Sequence, residues 1–416
     1  MKAKYYWLGV LSALLVVALM TLAVLVINNT RELMTQIAEL PPATERAENA
    51  GSATRNNRWF EQKVREIDRQ LNQRYIEEID KDKMYEAAVK GYVDALGDPY
   101  TNYLTREEFE EFNRDLSGTY EGIGVPIVRD ADTKAVTIIA PYKDSPGEKA
   151  GLKAGDIIVA VDGDDIAGIE VDEVARRIRG QKGTQVTLTV QRKKGNKFDV
   201  LDIPIIRDEV IIPTIEAKML EEQIGYIAIF GFDEPTADQF SRELNQLKNQ
   251  GIKGLIIDLR GNPGGYLEIA TEIADEIMHK GLVVYIEDKN GNREDFSAVN
   301  SAKLEMPIAV LVDGGSASAS EILAGALKDH KLATIVGTTT FGKGLVQNTI
   351  PFLDGSALKV TIAKYYTPNG HYIHSKGIEP DVKVELEEPT EDTETADKNK
   401  MDNQLQKAWE IIKQKI

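Results

Sequence analysis

The sequence predicts an α/β protein in which an N-terminal transmembrane helix and a helical segment precede a β-rich module and a larger α/β domain. Three observations support this prediction. An uninterrupted apolar run opens the chain, and apolar residues at three- and four-residue steps follow it. Short apolar runs then alternate with amphipathic stretches towards the C-terminus. A chain of 416 residues has room for several such domains.

The first run has the length of a membrane span. Lys2 and Lys4 precede residues 5–27, which contain no charge and are long enough to cross about 30 Å of hydrocarbon as a helix. The basic residues favour a cytoplasmic N-terminus and an exported remainder. A cleaved signal peptide is the alternative, but its apolar core is normally shorter and ends in small residues. We therefore predict an uncleaved single-pass anchor in the cell membrane.

The composition excludes several classes of function. The net charge of −17 argues against a nucleic-acid partner. The absence of cysteine excludes thiol catalysis, disulfide bonds and cysteine-ligated zinc. Of the four histidines only His371 and His374 are close in sequence, and their spacing in a loop-like stretch is a poor metal signal. We expect neither a metal nor a cofactor.

Two segments follow the anchor. Residues 30–57 are polar, contain Pro41 and Pro42, and resemble a linker. Residues 58–116 carry an apolar stripe at helical spacing, and a capping box is predicted at Thr105. The stripe predicts a packing face, with a dimer contact as the alternative.

The β-rich module extends from about residue 118 to residue 207. Its predicted strands lie at residues 135–139, 156–161 and 185–190, and residues 171–178 form a short amphipathic helix. The module resembles a PDZ domain in three separated stretches: residues 120–125, 145–158 and 161–163. The resemblance implies that an extended peptide adds as a strand here, with its terminal carboxylate at the backbone of Gly122, Ile123, Gly124 and Val125. A structural β-domain with a glycine-rich turn is the alternative.

The last domain presents a serine at a strand-to-helix turn. Residues 308–312 predict a buried strand and residues 320–327 a helix with an apolar face, so Ser318 lies between them. A serine hydroxyl is a weak nucleophile without a base. Lys343, in a later glycine-flanked turn, is the candidate base, because Ser–Lys pairs are one variant of the Ser–base arrangement.

A glycine-rich turn follows another predicted strand of this domain. Residues 261–265 come directly after the strand at residues 254–260. Glycines leave the backbone N–H groups unobstructed, which suits an anion or an oxyanion, although an ordinary tight turn has the same sequence.

Together, three motifs resemble those of the carboxyl-terminal processing proteases: residues 258–265, 315–322 and 337–347. These are exported serine peptidases with a PDZ domain ahead of a catalytic domain related to the crotonase-like ββα spiral. The resemblance implies Ser318 as nucleophile, Lys343 as general base and Gln347 as the residue that orients the lysine. It also assigns the oxyanion hole to the backbone N–H groups of Gly264 and Ala319.

The chemistry around Lys343 agrees with a neutral base. An exposed lysine has a pKa of about 10.4 and is protonated at neutral pH. Burial disfavours the charged form, and lowering the pKa by about three units costs roughly 4 kcal/mol. The neighbours Phe341, Leu345 and Val346 are apolar, and Gln347 can bind a neutral amine without stabilising the ammonium.

Three alternatives remain beside the Ser–Lys peptidase. Residues 337–343 satisfy the start of a phosphate-binding P-loop, but Gly344 stands where Ser or Thr should bind magnesium. A Ser-His-Asp triad would need His330 or His371, and neither lies in a motif that places it. A catalytically silent PDZ scaffold is the third, although such a chain should have lost at least one of the candidate catalytic residues.

The predicted organisation is therefore a transmembrane anchor (1–29), a linker (30–57), a helical region (58–117), a PDZ-like domain (118–207), a peptidase domain (208–384), and an acidic linker with a C-terminal helix (385–416). The predicted function is that of a membrane-anchored, extracytoplasmic bacterial serine endopeptidase. Its PDZ domain would capture exposed C-termini of polypeptide substrates, and cleavage would follow near them. A homodimer is an open alternative to the monomer.

Overall fold

The computed structural model describes residues 43–130, 133–195, 197–300, 304–387 and 401–416. The predicted span at residues 5–27 lies outside these ranges, as does most of the predicted acidic linker. Among the described residues no helix combines the length and apolar character needed to span a membrane. The chain divides into two units, one ending at Tyr85 and the other comprising Glu86–Ile416.

In the described part of the first unit, the main element is the long helix α1 (Ala43–Arg74). This helix corrects the predicted linker at 30–57, whose C-terminal half is helical. The reason is local: residues 43–57 are rich in Ala, Glu and Arg, which favour helices, and two prolines stand directly before them. The predicted apolar stripe is not buried, since Ile67 is 50% and Ile76 95% exposed.

The next helices end the helical region. They are α2 (Lys81–Asp94) and α3 (Arg106–Ser117), with the short strand β1 (Asn102–Leu104) between them. The predicted capping box is confirmed: Thr105 Oγ1 accepts from the N–H of Glu108 at 3.2 Å, and the Glu108 carboxylate accepts from the N–H of Thr105 at 2.9 Å. Gly118 ends α3 with a left-handed φ of 59°.

The PDZ-like module begins where β2 (Thr119–Gly122) pairs with β9 (Asp208–Ile211). Its other elements are β3 (Ile127–Arg129), β4 (Val136–Ile138), α4 (Pro146–Lys149), β5 (Ile157–Val161), β6 (Asp164–Asp165), α5 (Val171–Ile178), β7 (Gln185–Lys194) and β8 (Lys197–Ile206). The sheet order is β3-β4-β5-β7-β8, so β3 presents a free edge beside which α5 packs. The inward-facing Val186, Leu188 and Val190 of β7 are fully buried, as the period-two pattern predicts.

The α/β domain is built on a second sheet with the order β10-β11-β12-β15-β16-β19. Its strands are β10 (Ile215–Leu220), β11 (Ile224–Ile229), β12 (Gly254–Asp258), β15 (Ile308–Val312), β16 (Ala333–Gly337) and β19 (Val382–Lys383). All neighbours are parallel except β10 and β11. Every residue of β11, β12 and β15 is buried, which explains their continuous apolar runs.

Helices cover both faces of this sheet. On one face lie α6 (Thr236–Asn249), α7 (Leu267–Ile277) and α8 (Ala319–Asp329), which share a core with the inner residues of the strands. On the other face lies the C-terminal helix α9 (Asn403–Lys413), whose Leu405, Ala408 and Ile412 are buried against the sheet.

An antiparallel sheet completes the domain. It contains β13 (Gly281–Asp288), β14 (Arg293–Ala298), β17 (Leu345–Pro351) and β18 (Ala357–Tyr366), together with β1. Among the described strands β17 pairs with β18 alone, and a register shift between Val346 and Gln347 interrupts the pairing.

Candidate active site

The three catalytic motifs follow three adjacent parallel strands. β12, β15 and β16 lie side by side, and each motif begins where one of these strands ends. The carboxyl ends of parallel strands meet at one edge of a sheet, which is the usual place for a site in such folds. The sheet therefore brings together the glycine turn, Ser318 and Lys343, although they are far apart in sequence.

Ser318 occupies a strained turn before α8. Its φ is 54° and its ψ −115°, a backbone conformation that costs a residue with a side chain about 1–3 kcal/mol. Two groups hold it there: the Ser318 N–H donates to the Glu321 carboxylate at 3.0 Å, and the Tyr365 hydroxyl donates to the Ser318 carbonyl at 3.2 Å. The hydroxyl is thereby presented at the N-terminus of a helix, on the wall of a cavity of about 830 Å³.

Lys343 lines the same cavity. Burial lowers the pKa of its ammonium below the usual lysine range, and the positive charge of Lys359 lowers it further. The carboxylates of Glu321 and Asp98 oppose this shift. The Lys343 ammonium lies 5.0 Å from the centre of the Tyr100 ring, and no hydrogen bond joins it to Ser318 within the described residues.

Gln347 lies on β17 directly after the register shift. Its side chain also lines the cavity, but its amide nitrogen is buried and has no hydrogen-bond partner in the described part of the chain. The Gln347 side chain is therefore in the right cavity without being bonded to the lysine it is predicted to orient.

In the glycine turn, the N–H group of Gly264 forms a hydrogen bond and that of Gly265 forms none within the described residues. The Gly264 N–H donates to the Asn262 side-chain oxygen at 2.9 Å, whereas the N–H groups of Gly265 and Ala319 donate no hydrogen bond within the described residues. Gly264 packs so closely that a Cβ on it would lie 2.7 Å from Ser318 Cβ and 2.9 Å from Ala319 N. In this conformation Gly265, not Gly264, is the glycine with a free N–H on the cavity wall.

Asn262 joins the glycine turn to the serine turn. Its side chain is fully buried, and its amide donates to the Ile229 carbonyl at 2.8 Å. Its own carbonyl accepts from the N–H of Ala317 and from the hydroxyl of Ser320, both at 3.0 Å. The neighbouring residues of both turns are thus fixed by a buried polar group, and nothing in the sequence pattern had marked Asn262 for this role.

The structure does not support the geometry that a histidine triad, a P-loop or a metal site would need among the described residues. Both His330 and His371 are exposed, and neither forms a hydrogen bond with Ser318; His330 contacts the Leu282 carbonyl instead, at 2.7 Å. The segment after the P-loop-like sequence is the strand β17, so the helix N-terminus that a bound phosphate needs is missing there. No group of three or more His, Asp or Glu side chains within the described ranges is arranged to hold a metal ion.

The glycine loop of the β-rich module presents a row of backbone donors. The N–H groups of Ile123, Gly124 and Val125 donate to no backbone carbonyl in the described chain, although Ile123 and Gly124 are buried. Tyr120 lies beside them: burial raises the pKa of its hydroxyl, and the N–H groups of Gly124 and Val125 act against that rise. Backbone donors that no strand uses, in the loop that leads into β3, suit an incoming carboxylate.

Comparisons with known proteins agree with this architecture. Residues 223–384 match Peptidase family S41, residues 137–192 match the PDZ domain, and residues 14–108 match the activating protease CtpB N-terminal domain. The chain is 40% identical over 318 residues to the carboxy-terminal processing protease CtpB of Bacillus subtilis, an alignment that covers 76% of this chain and 65% of that protein. It is 40% identical over 319 residues to CtpA of the same organism, covering 76% of this chain and 67% of the relative. The chain therefore spans about two thirds of the length of these relatives.

A solved structure of a putative S41 protease from Bacteroides fragilis has the same fold, with a TM-score of 0.50 at 17% identity over 82% of this chain and 93% of that one. A PDZ module ahead of an α/β domain with a serine at a strand-to-helix turn is the architecture of a PDZ-bearing serine peptidase. The chain belongs to the carboxy-terminal processing proteases of peptidase family S41, which confirms the resemblance found in its motifs.

Proposed function

We propose that this protein is a serine endopeptidase that cuts polypeptides near their C-termini, with Ser318 as nucleophile and Lys343 as general base. One observation carries the proposal: a serine at a helix N-terminus and a lysine whose pKa is lowered by burial line the same cavity. A neutral amine at that position is what the serine hydroxyl needs to become a nucleophile.

The reaction proceeds as an acyl transfer. The neutral Lys343 amine accepts the Ser318 proton while the hydroxyl oxygen attacks the peptide carbonyl carbon. The oxyanion that forms accepts hydrogen bonds from the N–H groups of Gly265 and Ala319, the latter at the positive end of the α8 dipole. The Lys343 ammonium then protonates the leaving amine, and water hydrolyses the acyl-enzyme with Lys343 again as base.

Gln347 is the group proposed to orient the lysine. Its buried amide nitrogen has no hydrogen-bond partner among the described residues, so rotation of the amide breaks no bond of that nitrogen. Its amide oxygen would accept a hydrogen bond from the Lys343 amine and aim the amine lone pair at Ser318. A buried unpaired polar group is costly, which favours such a rearrangement when substrate fills the cavity.

The PDZ-like module is proposed to capture the substrate. An extended C-terminal segment would add to the free edge of β3, and its carboxylate would accept hydrogen bonds from the N–H row at Ile123, Gly124 and Val125. The α5 helix beside β3 forms the other wall of such a groove.

The location and the assembly are further parts of the proposal. The uncharged run at residues 5–27 supports a single-pass anchor in the cell membrane with the remaining chain outside the cytoplasm. Extraction tests this: the full chain should stay with the membrane in alkaline carbonate and enter solution only with detergent. The exposed apolar residues of α1 support a homodimer, which light scattering of the chain from residue 43 onward would detect.

The activity itself is tested with β-casein, a loosely folded protein, and mass spectrometry of the products. Ser318→Ala should abolish cleavage and keep the fold, because a small side chain is replaced by a smaller one. Lys343→Arg should be equally inactive at every pH, since a guanidinium stays protonated. Lys376→Arg, at an exposed turn lysine, is the matched control and should keep wild-type activity.

The pH profile separates the proposed base from a histidine. Because the neutral amine is the active form, kcat/KM should rise with pH along a limb whose pKa is that of Lys343 and lies below the usual lysine range. Cleavage that persists in Ser318→Ala would reject the mechanism. A folded wild-type chain that binds peptides without cutting them would support the silent PDZ scaffold instead.

A further inference from the structure

A buried carboxylate connects the two turns of the catalytic site. Glu321 lies three residues after Ser318 and is completely buried. One of its oxygens accepts from the N–H of Ser318 at 3.0 Å and from the N–H of Lys343 at 2.8 Å. The other accepts from the N–H of Gly342 at 2.8 Å and from the Thr340 hydroxyl at 2.5 Å. All four partners are donors, which suits an ionised carboxylate, since that group can only accept.

Helix capping explains only part of this arrangement. A capping box places a glutamate at the third helical position and bonds it to the N–H of the capping residue, here Ser318. Three of the four donors, however, come from residues 340–343, which belong to the turn after β16 and to no part of α8. A helix cap requires none of these three donors.

We propose that Glu321 is a positioning residue for catalysis, which holds the backbone of the Ser318 turn and the backbone of the Lys343 turn in one fixed relation. The proposal rests on the Ser–Lys mechanism proposed above. Glu321 touches no reacting atom: it binds the main-chain N–H groups of both residues and leaves their side chains free in the cavity.

The carboxylate acts in two ways. It stabilises the positive φ of Ser318, and it fixes the Lys343 backbone, which limits the positions that the side-chain amine can reach. Its charge also opposes the effect of burial on the pKa of Lys343. Among the described residues, the other charged or titratable groups that face this site are Lys359 on β18, Asp98 and Tyr100 before β1, His374, which packs against Gly344, and Tyr365, whose pKa is raised by burial and by the Glu321 carboxylate.

Two substitutions separate geometry from charge. Glu321→Gln keeps the length of the side chain but has one acceptor oxygen and no charge, whereas Glu321→Asp keeps the charge on a shorter side chain. With β-casein as substrate, we expect kcat to fall about a hundredfold in both, with KM within about twofold of wild type. The pH limb should move to lower pH in Glu321→Gln, because the charge that raises the Lys343 pKa is gone. It should stay in place in Glu321→Asp.

A second pair of variants serves if both Glu321 variants fail to fold. The Thr340 hydroxyl donates to Glu321 and accepts from the Ile378 N–H at 2.7 Å. Thr340→Ser keeps both bonds and should retain kcat within about twofold, whereas Thr340→Val loses both and should lower kcat about tenfold. Thermal unfolding of each variant, followed by circular dichroism, shows which variants are folded.

The outcomes are decisive in each case. A folded Glu321→Gln with wild-type kcat and an unmoved limb overturns the proposal, and so does equal kcat in the two Thr340 variants if the Glu321 variants do not fold. Loss of activity in Glu321→Gln together with a limb at lower pH supports it. If Ser318→Ala still cleaves β-casein, the Ser–Lys mechanism fails independently of Glu321.

Discussion

Two glycine-rich loops of this protein offer backbone N–H groups, and they differ in how those groups are held. In the PDZ-like module, three successive N–H groups from Ile123 to Val125 donate to no backbone carbonyl among the described residues and lie where β2 ends. In the peptidase domain, the Gly264 N–H is bonded to Asn262, and the donors without an acceptor in the described part of the chain come from two separate turns, at Gly265 and Ala319.

The difference follows from what each loop has to do. A row of donors along one strand end can receive any extended peptide terminus, because the peptide supplies its own geometry as a strand. An oxyanion site must be fixed before the charge develops, so its donors have to be held by buried polar contacts from elsewhere in the fold. Asn262, with no exposed surface, supplies those contacts.

The largest expected effect comes from breaking the catalytic loop. A Cβ on Gly265 would lie 2.3 Å from the Phe232 carbonyl oxygen, which is backbone and cannot move away. Gly265→Ala should therefore displace the N–H and lower kcat/KM about a hundredfold or more, as loss of one oxyanion donor does. Gly261→Ala is the matched control: its φ is also positive, but its Cβ would meet nothing within 4 Å. Equal kcat/KM in both would remove Gly265 from the mechanism.

The corresponding change in the binding loop should affect affinity and not chemistry. Gly124 has a φ of 72°, and a Cβ there would lie 2.3 Å from Ser145 Cβ. Overpacking and strain of about 1–3 kcal/mol should weaken peptide binding roughly tenfold to a hundredfold in Gly124→Ala. Gly155→Ala, also at positive φ but in open space, should bind within a few-fold of wild type. Calorimetry with a short peptide measures both, and similar affinities would argue against this loop as the site.

A smaller effect is expected when the ligand is changed instead of the loop. Peptides with a free C-terminus should bind about tenfold more tightly than the same peptides with a C-terminal amide, because charge-assisted hydrogen bonds contribute about 1.5–3 kcal/mol. Calorimetry at two salt concentrations measures the difference. Identical affinities for the two forms would exclude recognition of the terminal carboxylate.

Substitution of the two exposed histidines is expected to have no effect on catalysis. His330→Gln and His371→Gln should leave kcat/KM and its pH limb unchanged, because both side chains are exposed and neither is bonded to Ser318. A double variant that loses activity, beside a Lys343→Arg variant that keeps it, would replace the Ser–Lys mechanism with a histidine base.

The local sequence pattern was sufficient to predict several helices and strands of this protein. The helix Val171–Ile178 and the strand Ile308–Val312 have the bounds expected from their sequence patterns. The capping box at Thr105 is likewise local. The region before Arg58 was misjudged because its polar composition outweighed its helix propensity, and α1 begins at Ala43.

The site was predictable only in part, for a physical reason. Ser318 and Lys343 stand in local motifs, but the environment of the lysine is created by residues distant in sequence, such as Asp98 and Lys359. The sequence around Lys343 contains no acid, yet the fold places Glu321 against its backbone. The Ser-x-x-Glu spacing indicated a helix cap. The bonds of Glu321 to the turn at residues 340–343 depend on the order of the strands in the sheet, which no local sequence pattern specifies.

The ion pairs of Arg260 link the glycine turn to the helix α9, and this link affects how the two segments open to solvent. Arg260, directly before the glycine turn, binds Asp258 at 2.6 Å and Asp402 at 3.0 Å, and its side chain is only 16% exposed. Asp402 caps α9, so this helix cannot detach without breaking its ion pair with Arg260, which then keeps only Asp258 as a carboxylate partner. The amide hydrogens of α9 and of the glycine turn should therefore exchange with deuterium in one cooperative opening, at a rate common to both, although they are far apart in sequence.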